Sequence, residues 1–316
     1  MTVPAIAQRQ PRASAEATRK VASGPSWRED LTGWAFAAPF MILFGLFLAF
    51  PIVASFALSF TSFGLRDLAS PIGATFVGLD NYIDLLSDEK FWTALFNTFY
   101  FVVVGVPITL AIGLLIANAL NRGINRFRTV FRVGYYLPVI TSIVAIAVVW
   151  RFLLNPDVGL LNMVLGWVGI NGPAWLADPA LAMPSIIAMA VWRNLGFAMI
   201  VFLAGMQAIP ASLYEAAALD GASPRQALRY VTIPMLRPTI LFMTVITTIG
   251  YLQLFEEPFV MTGGGPLDKT LSVSMYMYQQ GFTFFHQGYA SAIAYVLFVI
   301  VAIVALLQFR FLRSDA

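Results

Sequence analysis

Long apolar runs alternate along the chain with short polar breaks. Six runs reach spanning length: Gly33–Phe60, Trp92–Leu120, Gly134–Leu154, Met183–Met206, Thr239–Val260 and Tyr289–Phe311. Each holds about twenty or more mainly apolar residues, the length a helix needs to cross roughly 30 Å of hydrocarbon. The runs are apolar all round rather than striped, which favours the bilayer over a soluble helical core. No short alternating segments point to a β-barrel. The pattern therefore predicts an all-α integral membrane protein with six transmembrane helices. Between the first two runs, the polar segment Thr61–Phe91 predicts a short helix near "LDNYIDLL". Asn155–Met183 reads as a turn and a short interfacial helix, from its Gly, Asn and Trp residues. No internal repeat is evident, which counts weakly against a self-contained secondary transporter.

Composition sharpens this picture. Of 316 residues, 59% are hydrophobic and 11% charged, about half the charge of a soluble domain. The chain has no cysteine and a single histidine, His286, so thiol chemistry and a histidine metal cluster are excluded, and no metal site is expected. Residues 1–30 form a polar tail, expected to be disordered up to about Gly24 and lacking the apolar core of a removable signal peptide. The spanning domain is assigned to 31–316.

Loop charge sets orientation. One side collects Arg9, Arg12, Arg19, Lys20, Arg28, Arg122, Arg126, Arg128, Arg132, Arg225, Arg229, Arg237, Arg310 and Arg313. The other has Arg66, Lys90 and Lys269, with Arg151 near its edge. Both termini and the stretch Tyr214–Pro238 are expected in the cytoplasm. The net charge of +3 is thus an orientation signal, and no basic stripe interleaved with aromatics suggests a nucleic-acid partner.

That stretch, "YEAAALDGASPRQALRYVTIPMLRP", breaks the oily pattern. Ala211–Leu219 is rich in helix formers, and Gly221 can take the positive φ that ends a helix. Ser223 and Pro224 suit the N-cap and first position of a second short helix. Pro234 and Pro238 are expected to end it and launch the next span. The small residues and the acid Glu215 suit docking to a protein better than lying on lipid.

Glu215, Ala216, Ala217, Gly221 and Pro234 fall in the register of the EAA loop of binding-protein-dependent ABC importer permeases, which the stretch closely resembles. Val231 and Ile233 stand where that loop usually has Ile and Leu. "FVGLDNYIDLLSDEKFWTALFNTFYF", "VWRNLGFAMIVFLAGMQAIPASLYEAAALDGAS", "FVMTGGGP" and "GYASAIAYVLFVIVAIVALLQFRFL" resemble the carbohydrate-uptake branch. The resemblance runs from about Leu31 and is greatest to the first permease of a pair, the maltose and glycerol-3-phosphate type. It implies the type I importer fold in a prokaryotic inner membrane and a heteromeric partnership. The partners would be a second permease, an ABC ATPase dimer that uses ATP and Mg, and an extracytoplasmic sugar-binding protein. This chain would bind no cofactor and catalyse nothing. Tyr214, Glu215, Ala216, Ala217, Asp220, Gly221 and Pro234 would couple it to the ATPase through the 211–238 loop. Alternatives are an importer subunit for another solute such as glycerol phosphate, or a stand-alone secondary carrier.

Charge inside the fourth and fifth runs marks a possible pathway. Arg193 is costly at bilayer depth, by at least about 2.5–3.5 kcal/mol on insertion scales, and should face protein or water. Arg193 and Gln253 lie at matching depths, roughly 21 Å above the cytoplasmic ends of their helices, with Glu256 about 5 Å higher. Arg193 with Glu256 or Glu257 is expected either to line a sugar pathway or to form a structural pair. Trp192, Asn194, Tyr251 and Gln253 supply the flat rings and hydrogen-bonding groups a sugar site needs. "GGGPLDKT" lacks the Gly of a phosphate loop at Asp268 and reads as a tight outer turn.

Overall fold

The computed structural model describes residues 27–68, 74–122 and 128–312. The expected disordered tail and the basic residues Arg9, Arg12, Arg19, Lys20, Arg126 and Arg313 lie outside them. Among the described residues the regular structure is helical, apart from an isolated bridge between Thr61 and Phe76. The chain divides into two compact units, 1–53 and 54–316.

The first unit carries α1, Trp27–Phe44, followed without a break by a π-helical turn, Gly45–Ala49. Its large apolar side chains, Trp34, Phe36 and Phe40 among them, are all exposed. A helix whose large apolar side chains are exposed on every face suits hydrocarbon. α2, Phe50–Leu58, continues the same run, so that Leu31–Leu58 is long and apolar enough to cross a membrane.

The second unit continues with α3 (Asp80–Ser87), α4 (Glu89–Arg122), α5 (Arg128–Ile140) and α6 (Ile143–Leu153). The short α7 (Leu160–Trp167) precedes the long α8 (Ala182–Gln207). Next come α9 (Ala211–Leu219), α10 (Pro224–Ala227), a π-helical turn (Leu228–Thr232) and α11 (Ile233–Met235). The chain ends through α12 (Arg237–Leu252), α13 (Glu256–Met261), α14 (Val273–Tyr278) and α15 (Gln287–Leu312). The helices at "LDNYIDLL" and in Asn155–Met183 are thus present as α3 and α7. Among the described residues, four helices are long and apolar enough to span, or up to six if two bent pairs each count as one.

Two expected runs are not single helices. Gly134–Leu154 breaks between α5 and α6, which meet at 100°. Pro138 removes a backbone donor, and the Thr141 hydroxyl bonds back to the Leu137 carbonyl at 2.8 Å. Ser142 then turns extended, with ψ 126°. Thr239–Val260 stops as a helix at Leu252 and restarts at Glu256. A helix running unbroken through Pro258 would drive its ring against the carbonyl of Leu254. Restarting at Glu256 puts the proline in a first turn, where no amide donor is needed.

Packing centres on α4 and α8, joined by α5 and α12. A Cβ on Gly113 would lie 2.6 Å from that of Ala198, and one on Gly196 would run into the backbone carbonyl of Tyr135. Small residues at such crossings let helices approach where no hydrophobic driving force separates lipid from protein. At one end of the bundle Asp88 ties α4 to α14 and α15, accepting hydrogen bonds from the hydroxyls of Tyr276 and Tyr289. Burial pushes this carboxyl up, but those hydroxyls and the amides of Phe91 and Lys90 together hold it below its usual 3.8. The "GGGPLDKT" segment is a turn, with Asn97 of α4 donating to the Asp268 and Leu271 carbonyls at 2.8 and 2.9 Å.

Candidate functional site

The 211–238 stretch folds by local rules. Gly221 has φ 73°, and the turn closes with the Ala222 amide on the Ala217 carbonyl (2.9 Å) and the Gly221 amide on that of Ala218 (3.1 Å). This is the Schellman ending of a helix, which favours glycine at the left-handed position. Ser223 then caps α10 in a reciprocal box: its amide donates to Gln226 Oε1 at 2.7 Å, and the Gln226 amide returns a bond to Ser223 Oγ at 3.4 Å. The Tyr214 hydroxyl meets Thr232 Oγ1 at 3.0 Å, clipping α9 to the returning segment. Pro234 lies within α11, so the helical path runs to Met235 and then bends by 71° into α12.

The outward surface of this unit carries the expected residues. Glu215, Ala216, Asp220 and Gly221 are exposed, Ala217 partly so, and Leu219 is 89% exposed. Tyr214 turns inward instead, to a cleft of about 310 Å³ that it shares with Asn121, Ala218, Ala222, Pro224 and Ala227. Asn121, at the end of α4, escaped the sequence reading because no local pattern connects it to the loop.

The second candidate region lies where α12 gives way to α13. A cleft of about 180 Å³ is lined by Arg193, Asn194, Tyr251, Gln253, Glu256 and Glu257, together with Phe101, Ile143, Gly250 and Leu254. Six of the seven expected pathway residues therefore meet around one opening. Each has a structural cause. The α12–α13 break presents Gln253, and Glu256 and Glu257 occupy the first turn of α13, where the helix dipole favours acids. The α5–α6 break brings Ile143, the first residue of α6, to the same cleft.

Within the cleft the roles divide. Tyr251 is buried, its hydroxyl 2.9 Å from Thr109 Oγ1 and 3.5 Å from Asn194 Nδ2, its ring 4.8 Å from that of Phe101. It packs α12 onto α4 and α8. Arg193 forms no ion pair within 4.0 Å of either glutamate, and its Nε is buried with no hydrogen-bond partner among the described residues. The alternative of a closed Arg193–glutamate pair is thus not the arrangement seen. Trp192 stands apart: one residue rotates it away by about 100° of helix, to a separate groove with Tyr100, Val104 and Ile108. Its ring lies 5.7 Å from that of Trp150.

Loop and cleft both lie within residues 89–314, and this whole stretch matches the model of the binding-protein-dependent transport system inner membrane component. The chain belongs to that family. The permease is 39% identical to a lactose transport system permease protein, LacF, of Rhizobium radiobacter, over 90% of this chain and 95% of that protein. It is equally identical (39%) to a probable ABC transporter permease protein, YesP, of Bacillus subtilis, over 90% and 91% of the two chains. Among solved structures it resembles a chain of a bacterial ABC transporter involved in the import of the acidic polysaccharide alginate. The TM-score is 0.79 at 26% identity, covering 90% of the permease and 96% of that chain. The permease is an inner-membrane transport subunit of an ABC importer.

Proposed function

We propose that the permease forms part of the path by which a sugar or oligosaccharide crosses the membrane. It does so with six spans, both termini and the 211–238 loop in the cytoplasm, and a sugar-binding protein delivering from the outside. A second permease completes the path. A separate ATPase dimer, using ATP and Mg, drives it by moving the loop between two states. The observation that carries this reading is the loop itself. It is pre-folded by its own Schellman turn and capping box, with Glu215, Ala216 and Leu219 outward, while Thr232 and Leu236 are buried and anchor it to the helices behind. The relatives that carry lactose or alginate support a carbohydrate cargo. The cleft sets two carboxyl groups beside one guanidinium and so offers no excess of positive charge for a phosphorylated solute.

The test is co-purification from detergent-solubilised membranes, comparing wild type with Glu215→Ala and Gly221→Asp. An ATPase and a second permease should accompany wild type, and the ATPase should be lost from both variants. A chain that purifies alone and still moves sugar in liposomes would establish a secondary carrier instead.

A further inference from the structure

Gln253 borders a second, larger opening. A cleft of about 430 Å³ lies between the α12–α13 junction, α14 and α15, and its lining includes Gln253, Phe255, Ser274, Tyr278, Phe282 and Phe298. The size falls within the usual range of ligand clefts, about 300–1,000 Å³. Three of these rings touch in series. Phe255 and Tyr278 have centroids 5.2 Å apart, and Tyr278 and Phe282 stack at 5.3 Å with planes 27° apart. Phe282 and Phe298 are 69% and 65% exposed, so these two rings do not fill a core.

Three polar groups share this lining. The Gln253 amide, the Ser274 hydroxyl and the Tyr278 hydroxyl have no hydrogen-bond partner among the described residues. A surface made only to meet acyl chains gains nothing from such groups, since an unpaired polar atom in hydrocarbon costs free energy. A sugar ring matches both halves of the lining. Its C–H face settles on an aromatic face, while its hydroxyls need donors and acceptors at the edge. Gln253 also lines the charged cleft, so the two openings adjoin across a single side chain.

We propose that this aromatic cleft is a second carbohydrate subsite, holding one sugar ring beside the Arg193–Glu257 cleft. The proposal rests on the sugar-importer reading and extends it to a substrate long enough, or mobile enough, to use both openings. Spacing could have flagged it: Phe255 and Phe259, and Tyr278 and Phe282, are paired four residues apart, the interval that brings helical side chains together.

The chain has no cysteine, so a single Phe282→Cys variant reports on the cleft alone in this subunit. Phe298→Cys gives an independent reporter if the first fails to assemble. The importer, assembled with its ATPase, second permease and binding protein, is first screened in proteoliposomes for uptake of lactose, maltose, trehalose and an arabino-oligosaccharide. Labelling by a water-soluble maleimide is then timed with and without the sugar taken up. At about ten times half-saturation, mass action leaves roughly one site in ten open, so labelling should slow about tenfold. A sugar that is not transported should leave the rate unchanged. Uptake with no slowing at either reporter overturns the subsite while leaving the importer reading intact. Reporters that react only in the isolated subunit place a partner helix there, and reporters that react only with a membrane-soluble maleimide place lipid there; either overturns the subsite. Failure to take up any sugar removes the importer reading and the subsite with it.

Discussion

The 211–238 loop and the cleft around Gln253 are built in opposite ways. In the loop, the bonds that fix the shape lie within about twenty residues: the Schellman turn at Gly221, the box between Ser223 and Gln226, the clip from Tyr214 to Thr232. In the cleft, Arg193 comes from α8, Gln253 from the end of α12 and Glu257 from α13. Their relative positions depend on contacts elsewhere, such as Tyr251 against Thr109 of α4 and Gly196 against the backbone of α5. The loop is self-sufficient, as the proposed grip by a partner would require. The cleft is left to the packing of several helices. Damage to the core should therefore destroy the cleft before the loop, and damage to the loop should leave the cleft intact.

The harshest way to break the comparison is Gly196→Val. The branched side chain would meet the Tyr135 carbonyl, which belongs to a neighbouring helix backbone and cannot rotate away. Overpacking of this kind costs about 3 kcal/mol or more. Expression and thermal unfolding of the purified complex should show loss of the folded subunit, and Gly196→Ala should be severely destabilised too, because the Cβ itself is the atom that meets the carbonyl. Next in size is Arg193→Ala. Loss of a charged partner for substrate is worth roughly 1.5–3 kcal/mol, so uptake should fall by about 10–100-fold while the ATPase still co-purifies. Normal uptake in that variant would remove Arg193 from the pathway.

These two residues also show what could be read from sequence. Arg193 was legible because a lone cation in an apolar run is costly, and the same reasoning reached Glu256 and Glu257. Gly221, Ser223 and Pro224 were legible because caps are local chemistry, and each occupies its expected role. Trp192 was not, because adjacency in sequence is not adjacency on a helix: beside Arg193 in the chain, it faces another groove. The breaks at Ser142 and Gln253 were hidden by hydropathy, which reports the length of an apolar run and not its continuity. Pro138 and Pro258 carried that information. Asn121 and Asp88 owe their places to tertiary contact and left no local trace.

A smaller effect separates the Asp88 network from both regions. Because the Asp88 carboxyl is held below 3.8 in the folded chain, its ionised form stabilises the fold at pH values above that figure. The contribution fades as pH falls through the lower, folded value. Wild type should thus lose thermal stability below about pH 4 more steeply than Asp88→Asn, whose amide cannot change charge. Parallel curves for the two proteins would exclude Asp88 from this role. ATPase co-purification at neutral pH should be the same in both, since the network lies far along the chain from the loop.

The finest test is Ser223→Ala. It removes the side-chain acceptor for the Gln226 amide but leaves Gly221 and the Schellman turn, so α9 keeps its ending while α10 loses its start. Loss of an N-cap costs about 1 kcal/mol, and that is a factor of about five in an equilibrium. ATPase affinity of the detergent-purified permease pair should weaken by about that factor, and Ser223→Thr should restore most of it, because threonine also caps. Unfolding temperature should hardly move, since Ser223 is itself exposed and buries no apolar surface. Maleimide protection at Phe282→Cys by a transported sugar should be unchanged in the same background. A variant that weakened sugar protection as much as ATPase affinity would show loop and cleft to be one cooperative unit, and their separate construction would then be a matter of sequence distance alone.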